Sequence, residues 1–314
     1  MLQRLWLALE QESVLVCPIP TRSAAESVLR ALSMRTFDTL ADLRAALRDF
    51  PARTLVPTMG NLHAGHLGLV ARGRELGAPV VASIFVNRLQ FGPNEDFDRY
   101  PRTLERDATL LAQAGCTFLF APKEAEMYPE PQTFCVRPDP ALAGILDGAA
   151  RPGHFEGVAT VVMKLFAMVQ PTAAVFGKKD YQQLMLIRRM VTQFALPIAI
   201  SGLDTVRDTD GLALSSRNAY LTPAQRAQAP QLQAALQSLA KAASSAHSPQ
   251  DVLALESQAM RDMTAQGWGP DYLTVRRRHD LLAPGADDLR ERTPLVALGA
   301  ARLGATRLID NLEC

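Results

Sequence analysis

From residue 34 onward the apolar positions follow two alternating periods. Phe37, Leu40, Leu43 and Leu47 recur at spacings of three and four, which predicts an amphipathic helix that Pro51 stops. Short apolar runs at 53–58, 79–86, 117–120, 173–176 and 197–200 predict strands. Between them, 66–76, 103–114, 157–169 and 180–194 carry helical spacing. The run Val80 to Val86 is apolar on both faces, as a buried parallel strand requires. Strands alternating with helices predict an α/β fold, a Rossmann-like doubly wound parallel sheet whose ligands belong at the carboxyl ends of its strands. After about residue 204 the pattern changes. Helical stretches at 223–243 and 249–266 enclose a Ser/Ala-rich break, and short strand candidates follow at 272–275, 294–298 and 306–309. The expected division is therefore 34–204 as the Rossmann-like domain and 205–314 as a smaller α+β C-terminal domain. Residues 1–33 show no clear period and read as an N-terminal extension, with Met34 a candidate for the true start. N-terminal sequencing of the native protein decides that, and an intact Met1 end overturns it.

Composition narrows the function classes. The chain has 314 residues, 48% of them hydrophobic, enough for a good core. Lys and Arg (33) nearly cancel Asp and Glu (32), so no strong field draws nucleic acid or an anionic membrane, and neither is expected as a partner. The dense basic run Arg276–Arg278 follows a strand candidate and reads as a solvated strand end. Four cysteines without C-x-x-C spacing predict a reducing, cytoplasmic setting. No apolar run reaches the roughly 18 residues that span a bilayer.

The chemistry concentrates in Val56 to His66, read V-P-T-M-G-N-L-H-A-G-H. A strand, a glycine turn and a helix start make an anion site, because unpaired N–H groups and the helix dipole point at the ligand. His63 and His66 add two imidazoles there. As zinc ligands they lack a completing cysteine or carboxylate nearby, and as plain turn and cap residues they would need no ligand. Three further clusters follow strands. Asn87 and Gln90 are amides able to fix hydroxyls or a carboxylate. Gly177-Lys178-Lys179-Asp180 puts lysine at a helix start, where Asp180 and Gln183 also have the spacing of a capping box. Ser215-Ser216-Arg217 follows an Asp-Gly turn and offers hydroxyls and a bidentate phosphate clamp.

Together these clusters resemble the pantothenate synthetase (pantoate–β-alanine ligase) family. The motifs are P-T-M-G-N-L-H-A-G-H, S-I-F-V-N-R-L-Q-F, Y-P-R-T at 100–103, G-H-F-E-G-V at 153–158, F-G-K-K-D-Y-Q-Q, S-S-R-N-A-Y-L and T-R-L-I-D-N at 306–311. They run in one order from about Met34 to the C-terminus, while H-x-G-H alone is shared with the wider nucleotidylyltransferase superfamily. The resemblance implies an ATP- and Mg²⁺-dependent ligase that condenses pantoate with β-alanine through a pantoyl adenylate, usually as a homodimer with a C-terminal lid. It implies that His63, His66 and Lys179 are catalytic, and that His63 and His66 bind the triphosphate. It places Met59, His66, Gly177, Lys179, Asp180, Val206, Leu214, Ser215, Ser216 and Arg217 about ATP, and Gln90, Gln183 and Asn87 about pantoate. Asp107 lies where the family has an acidic residue near the metal. The attack of a carboxylate on ATP brings anion to polyanion, so cations and donors of this kind are what the site needs. Three departures stand out: Arg88 replaces the usual proline, Leu214 the usual methionine, and Val275 to Arg278 a usually acidic neighbourhood. Two rival classes remain: a nucleotidylyltransferase or synthetase with another acceptor, which neutral Gln90 and Gln183 fit less well, and an ATP-binding protein without activity.

Overall fold

The computed structural model describes residues 34–93 and 95–314; the expectation for residues 1–33 lies outside them. Residues 34–314 pack as one compact unit. Six parallel strands form the main sheet: β1 (Arg35–Phe37), β2 (Thr54–Thr58), β3 (Val80–Ile84), β4 (Phe118–Phe120), β5 (Ala173–Gly177) and β6 (Ala199–Leu203), in the order β1-β4-β3-β2-β5-β6. From β2 the chain steps outward through β3 and β4, then crosses to β5 and β6 on the other side. Helices cover both faces. One face packs beneath α1 (Leu40–Leu47), α4 (His154–Val169) and α5 (Tyr181–Gln193), the other beneath α2 (Ala64–Glu75) and α3 (Leu104–Gln113). Burial on both sides explains why Leu55, Val56, Val81, Ala82, Ala174 and Val175 are all apolar and shielded from water.

Several boundaries differ from the sequence reading, and two of them change how the elements divide. Phe37 belongs to the edge strand β1, not to the first helix, which starts after the Thr39 cap; the Thr39 hydroxyl accepts from the Asp42 N–H. The helical stretch 223–243 is two helices, Pro223–Gln228 and α6 (Gln231–Ala243), divided at Pro230. Beyond α7 (Pro249–Ala265) an antiparallel sheet of β7 (Gly269–Arg277), β8 (Leu295–Leu303) and β9 (Thr306–Glu313) completes the chain.

The crevice has a specific origin. β2 pairs with β3 over all five residues but with β5 only at Thr54 and Leu55. Thr54 donates to Pro79 on the β3 side, so alternation aims the nitrogen of residue 57 at β5. Residue 57 is proline and has no hydrogen to give, so the ladder stops there and the two carboxyl ends part. This gap is the point at which the strand order reverses.

Candidate active site

The turn after β2 is left-handed at Gly60 (φ 81°) and Asn61 (φ 49°). Asp107, on α3 and fully buried, holds it: Oδ2 accepts from the Asn61 N–H at 2.7 Å and from the Thr103 hydroxyl at 3.0 Å, and Oδ1 accepts from the Leu62 N–H at 2.9 Å. The sequence reading expected Asp107 near the metal; here its bonds run to this turn and to Thr103. Its carboxylate is spent on the backbone of the histidine turn and does not line the cavity.

α2 begins with the histidines as each other's caps. His63 Nδ1 accepts from the Gly65 N–H at 3.2 Å, and His66 Nδ1 accepts from the His63 N–H at 3.3 Å, a capping box built from two imidazoles. A Cβ on residue 65 would lie 2.9 Å from the His63 ring, which explains the glycine of H-A-G-H. Because each Nδ1 accepts from a backbone N–H, each neutral ring carries its hydrogen on Nε2. Burial, with the Lys179 charge adding to it, lowers the pKa of His63 to about 4. Burial, then His63 and Lys179, lowers His66 to about 3. Both are therefore neutral N–H donors at pH 7, not cations.

Across the crevice, β5 delivers Gly177, Lys179, Asp180 and Gln183 to the same cavity of about 240 Å³, which Met59, Gln90, Val206, Leu214, Ser215, Ser216 and Arg217 also line. Lys178 faces away, paired with Asp204 at 2.6 Å and Glu313 at 3.0 Å. The expected Asp180–Gln183 capping box does not form: Asp180 occupies the cap position of α5 without a side-chain bond to it. Its carboxylate lies 3.8 Å from the Lys179 ammonium. Leu214 donates its N–H to the Val206 carbonyl, which draws both into one wall. The Ser216 hydroxyl donates to the Asn61 carbonyl at 3.1 Å. Arg217 reaches the cavity with its fork on Asp96, at 2.9 and 3.2 Å.

Gln90 leaves a short 3₁₀ turn, Arg88–Gln90, and its Nε2 donates to Met59 Sδ at 3.2 Å. Asn87 borders the cavity but is 1% exposed and bonds to Gln90. At the position where the resemblance implied proline, the Arg88 guanidinium stacks 3.9 Å over the Phe97 ring and lies 3.5 Å from Glu124, so the turn is braced from outside. Four residues here carried no assigned role in the sequence reading. His154 Nδ1 lies 2.8 Å from the Gln90 carbonyl, Arg151 lies 2.9 Å from His154 Nε2, and Glu95 grips Arg151 with two contacts of 2.6 Å. The Tyr128 hydroxyl donates to Asn87 at 2.7 Å. The signal for His154 was present in G-H-F-E-G-V; Tyr128 stands alone in the sequence and gave none.

Residues 35–313 match the family model described as pantoate-beta-alanine ligase. The pantothenate synthetase of Leptothrix cholodnii is 65% identical over 287 residues, taking in 89% of this chain and 100% of that protein. Pantothenate synthetase from Thermus thermophilus is similar in structure with a TM-score of 0.80 at 47% identity, over 89% of this chain and 99% of its own. Pantoate-beta-alanine ligase from Francisella tularensis, solved with beta-gamma ATP and beta-alanine, gives 0.74 at 31% identity, over 90% and 98%.

Proposed function

The chain belongs to the pantoate-beta-alanine ligase family, and from that premise we propose that it condenses (R)-pantoate with β-alanine in two steps through an enzyme-bound pantoyl adenylate. One observation carries this reading: the β2–β5 crevice gathers two neutral imidazole donors, one ammonium and two neutral amides around one cavity. In the first step a pantoate carboxylate oxygen attacks the α-phosphorus of ATP. The bond to the bridging oxygen breaks, and pyrophosphate leaves with the electron pair. Negative charge grows on the oxygens around phosphorus, where the Nε2–H groups of His63 and His66 and the Lys179 ammonium stabilise it. Gln90 and Gln183 hold the hydroxy acid, and Phe85, Val158, Val162 and Leu165 give its geminal methyl groups an apolar wall. Gly177 and Asp180 take the ribose side, Val206 and Leu214 the adenine, and Ser215, Ser216 and Arg217 the phosphates. In the second step the β-alanine nitrogen attacks the acyl carbon, the carbon–oxygen bond to AMP breaks, and the nitrogen loses its proton. Position alone supplies much of the rate there, because the acyl group is already activated.

Residues 205–314 act in this reading as a lid, and Arg217 exchanges Asp96 for phosphate as it closes. The reaction needs Mg²⁺, yet among the described residues no group of three or more His, Cys, Asp or Glu could hold a metal ion, and Asp107 is committed to backbone donors. The residues do not fit a protein-held site, and the ion belongs with the nucleotide as MgATP. A homodimer is part of the proposal, with Phe134, 89% exposed on the irregular segment 129–139, as an apolar anchor for the second copy. So is a cytoplasmic setting: Cys116, Cys135 and Cys314 are free thiols. No helix among the described residues is long and apolar enough to cross a membrane.

Pyrophosphate release from MgATP tests the scheme. Pantoate alone gives at most a single turnover, and added β-alanine gives sustained release with AMP and pantothenate formed. Turnover with another acid, and none with pantoate, overturns the substrate.

A further inference from the structure

We infer that Tyr128 is a positioning residue for pantoate, acting through Asn87 to hold the Gln90 amide with its nitrogen toward the substrate; this rests on the pantoate reading above. An amide carries an oxygen and a nitrogen that only their neighbours distinguish. Here one neighbour is unambiguous. The Gly157 carbonyl can only accept, so the Asn87 atom 3.1 Å away is Nδ2. Asn87 Oδ1 then faces the Tyr128 hydroxyl at 2.7 Å, and that hydroxyl must donate. The second hydrogen on Asn87 Nδ2 points to Gln90, so the Gln90 atom at 3.1 Å is Oε1, the acceptor. What remains of Gln90 is Nε2, directed at Met59 Sδ and the cavity. Gln90 is thereby held as a donor, the polarity that suits a carboxylate or hydroxyl oxygen.

The backbone is as tightly fixed as the side chains. A Cβ on Gly157 would meet the Leu89 carbonyl oxygen at 2.2 Å and the Gln90 nitrogen at 2.7 Å, so α4 and the Gln90 turn touch with no room between them. His154 meets the Gln90 carbonyl from the same helix. Tyr128 is the one hydroxyl in this set and lies outside the cavity lining. Its ring packs against Phe85 and beneath the Lys164 ammonium, contacts that phenylalanine keeps. Without the hydroxyl, Asn87 Oδ1 loses its donor and Asn87 is held by the Gly157 carbonyl alone, so the Gln90 amide is less firmly fixed with its nitrogen toward the cavity.

The test is pantoate binding by titration calorimetry to the full chain, with a double-mutant cycle. Tyr128→Phe is expected to weaken pantoate about ten-fold, the effect of one buried hydrogen bond, while ATP binding stays near wild type and the melting temperature falls by only about a few degrees. In an Asn87→Ala background, where the connection is already cut, the same substitution should change pantoate binding less than two-fold. Unchanged pantoate binding in Tyr128→Phe, or the same ten-fold loss in both backgrounds, overturns the inference. So does an equal loss for ATP, which would mark a general structural role. Wild-type protein that does not bind pantoate would instead overturn the substrate reading.

Discussion

At the scale of single residues, the histidine pair decides how the site responds to pH. Each imidazole is both a structural cap and a presented donor, and both uses need the neutral ring with its hydrogen on Nε2. The folded pKa values of about 4 and about 3 lie below the ordinary 6.5. Between pH 6.5 and 4 the unfolded chain therefore binds protons that the folded chain refuses. The contribution to stability is full above 6.5 and is lost as pH falls toward the folded values. Replacing both rings by asparagine, which still caps a helix but does not titrate, should flatten this dependence. Melting curves from pH 7.5 to 4.5 should show the wild type falling more steeply than His63→Asn/His66→Asn, and parallel curves would mean that the rings are protonated in the fold. The pair's place between a glycine turn and a helix start was legible from Gly60, Gly65 and the histidine spacing. Its charge state was not, since it follows from which nitrogen meets a backbone N–H.

At the scale of elements, the sheet was legible because β2 to β5 bury both faces and so read as apolar runs, while α2 to α5 keep one stripe each. The three-residue strand β1 is too short to show a period of two, and Phe37 at its end fits the helical stripe of Leu40 and Leu43 equally well. Local capping chemistry misled at α5, where Asp180 and Gln183 have the right spacing and face the cavity instead. Asp107 is the comparable case in α3. Its two oxygens take three donors from the turn and from Thr103, so Asp107→Asn would turn an amide N–H toward a backbone N–H in a buried place. The expected cost is about 1–3 kcal/mol of stability, read by denaturant unfolding, with turnover reduced at least several-fold as the histidine turn relaxes. Activity that returns at higher Mg²⁺ would restore Asp107 to the metal instead.

At the scale of the whole molecule, the contacts that join the two sheets are made by residues more than 100 positions apart, and no local pattern announces them. Arg307 pairs with Asp147 at 2.7 Å, Arg207 grips the buried Asp310 at 2.6 and 2.8 Å, and Ser216 reaches the histidine turn. Asn311 makes the contact nearest the chemistry. Its Nδ2 donates to the carbonyls of Lys178 and Lys179 at 2.9 and 2.8 Å, so strand β9 holds the loop that aims Lys179 at the cavity. The T-R-L-I-D-N motif was visible in the sequence, but its purpose depends on that cross-sheet placement. Asn311→Ala removes both bonds and leaves Lys179 in place chemically, yet less fixed. Loss of position rather than of charge should lower kcat/KM for ATP about ten-fold, while pantoate, which the proposed scheme assigns to Gln90 and Gln183, binds as before. A stability loss of about 1–2 kcal/mol accompanies it. Because unfolding alone would reduce both substrates' binding together, the split between ATP and pantoate separates a loosened Lys179 from a weakened fold, and an equal effect on both would reject the link from β9 to the active site.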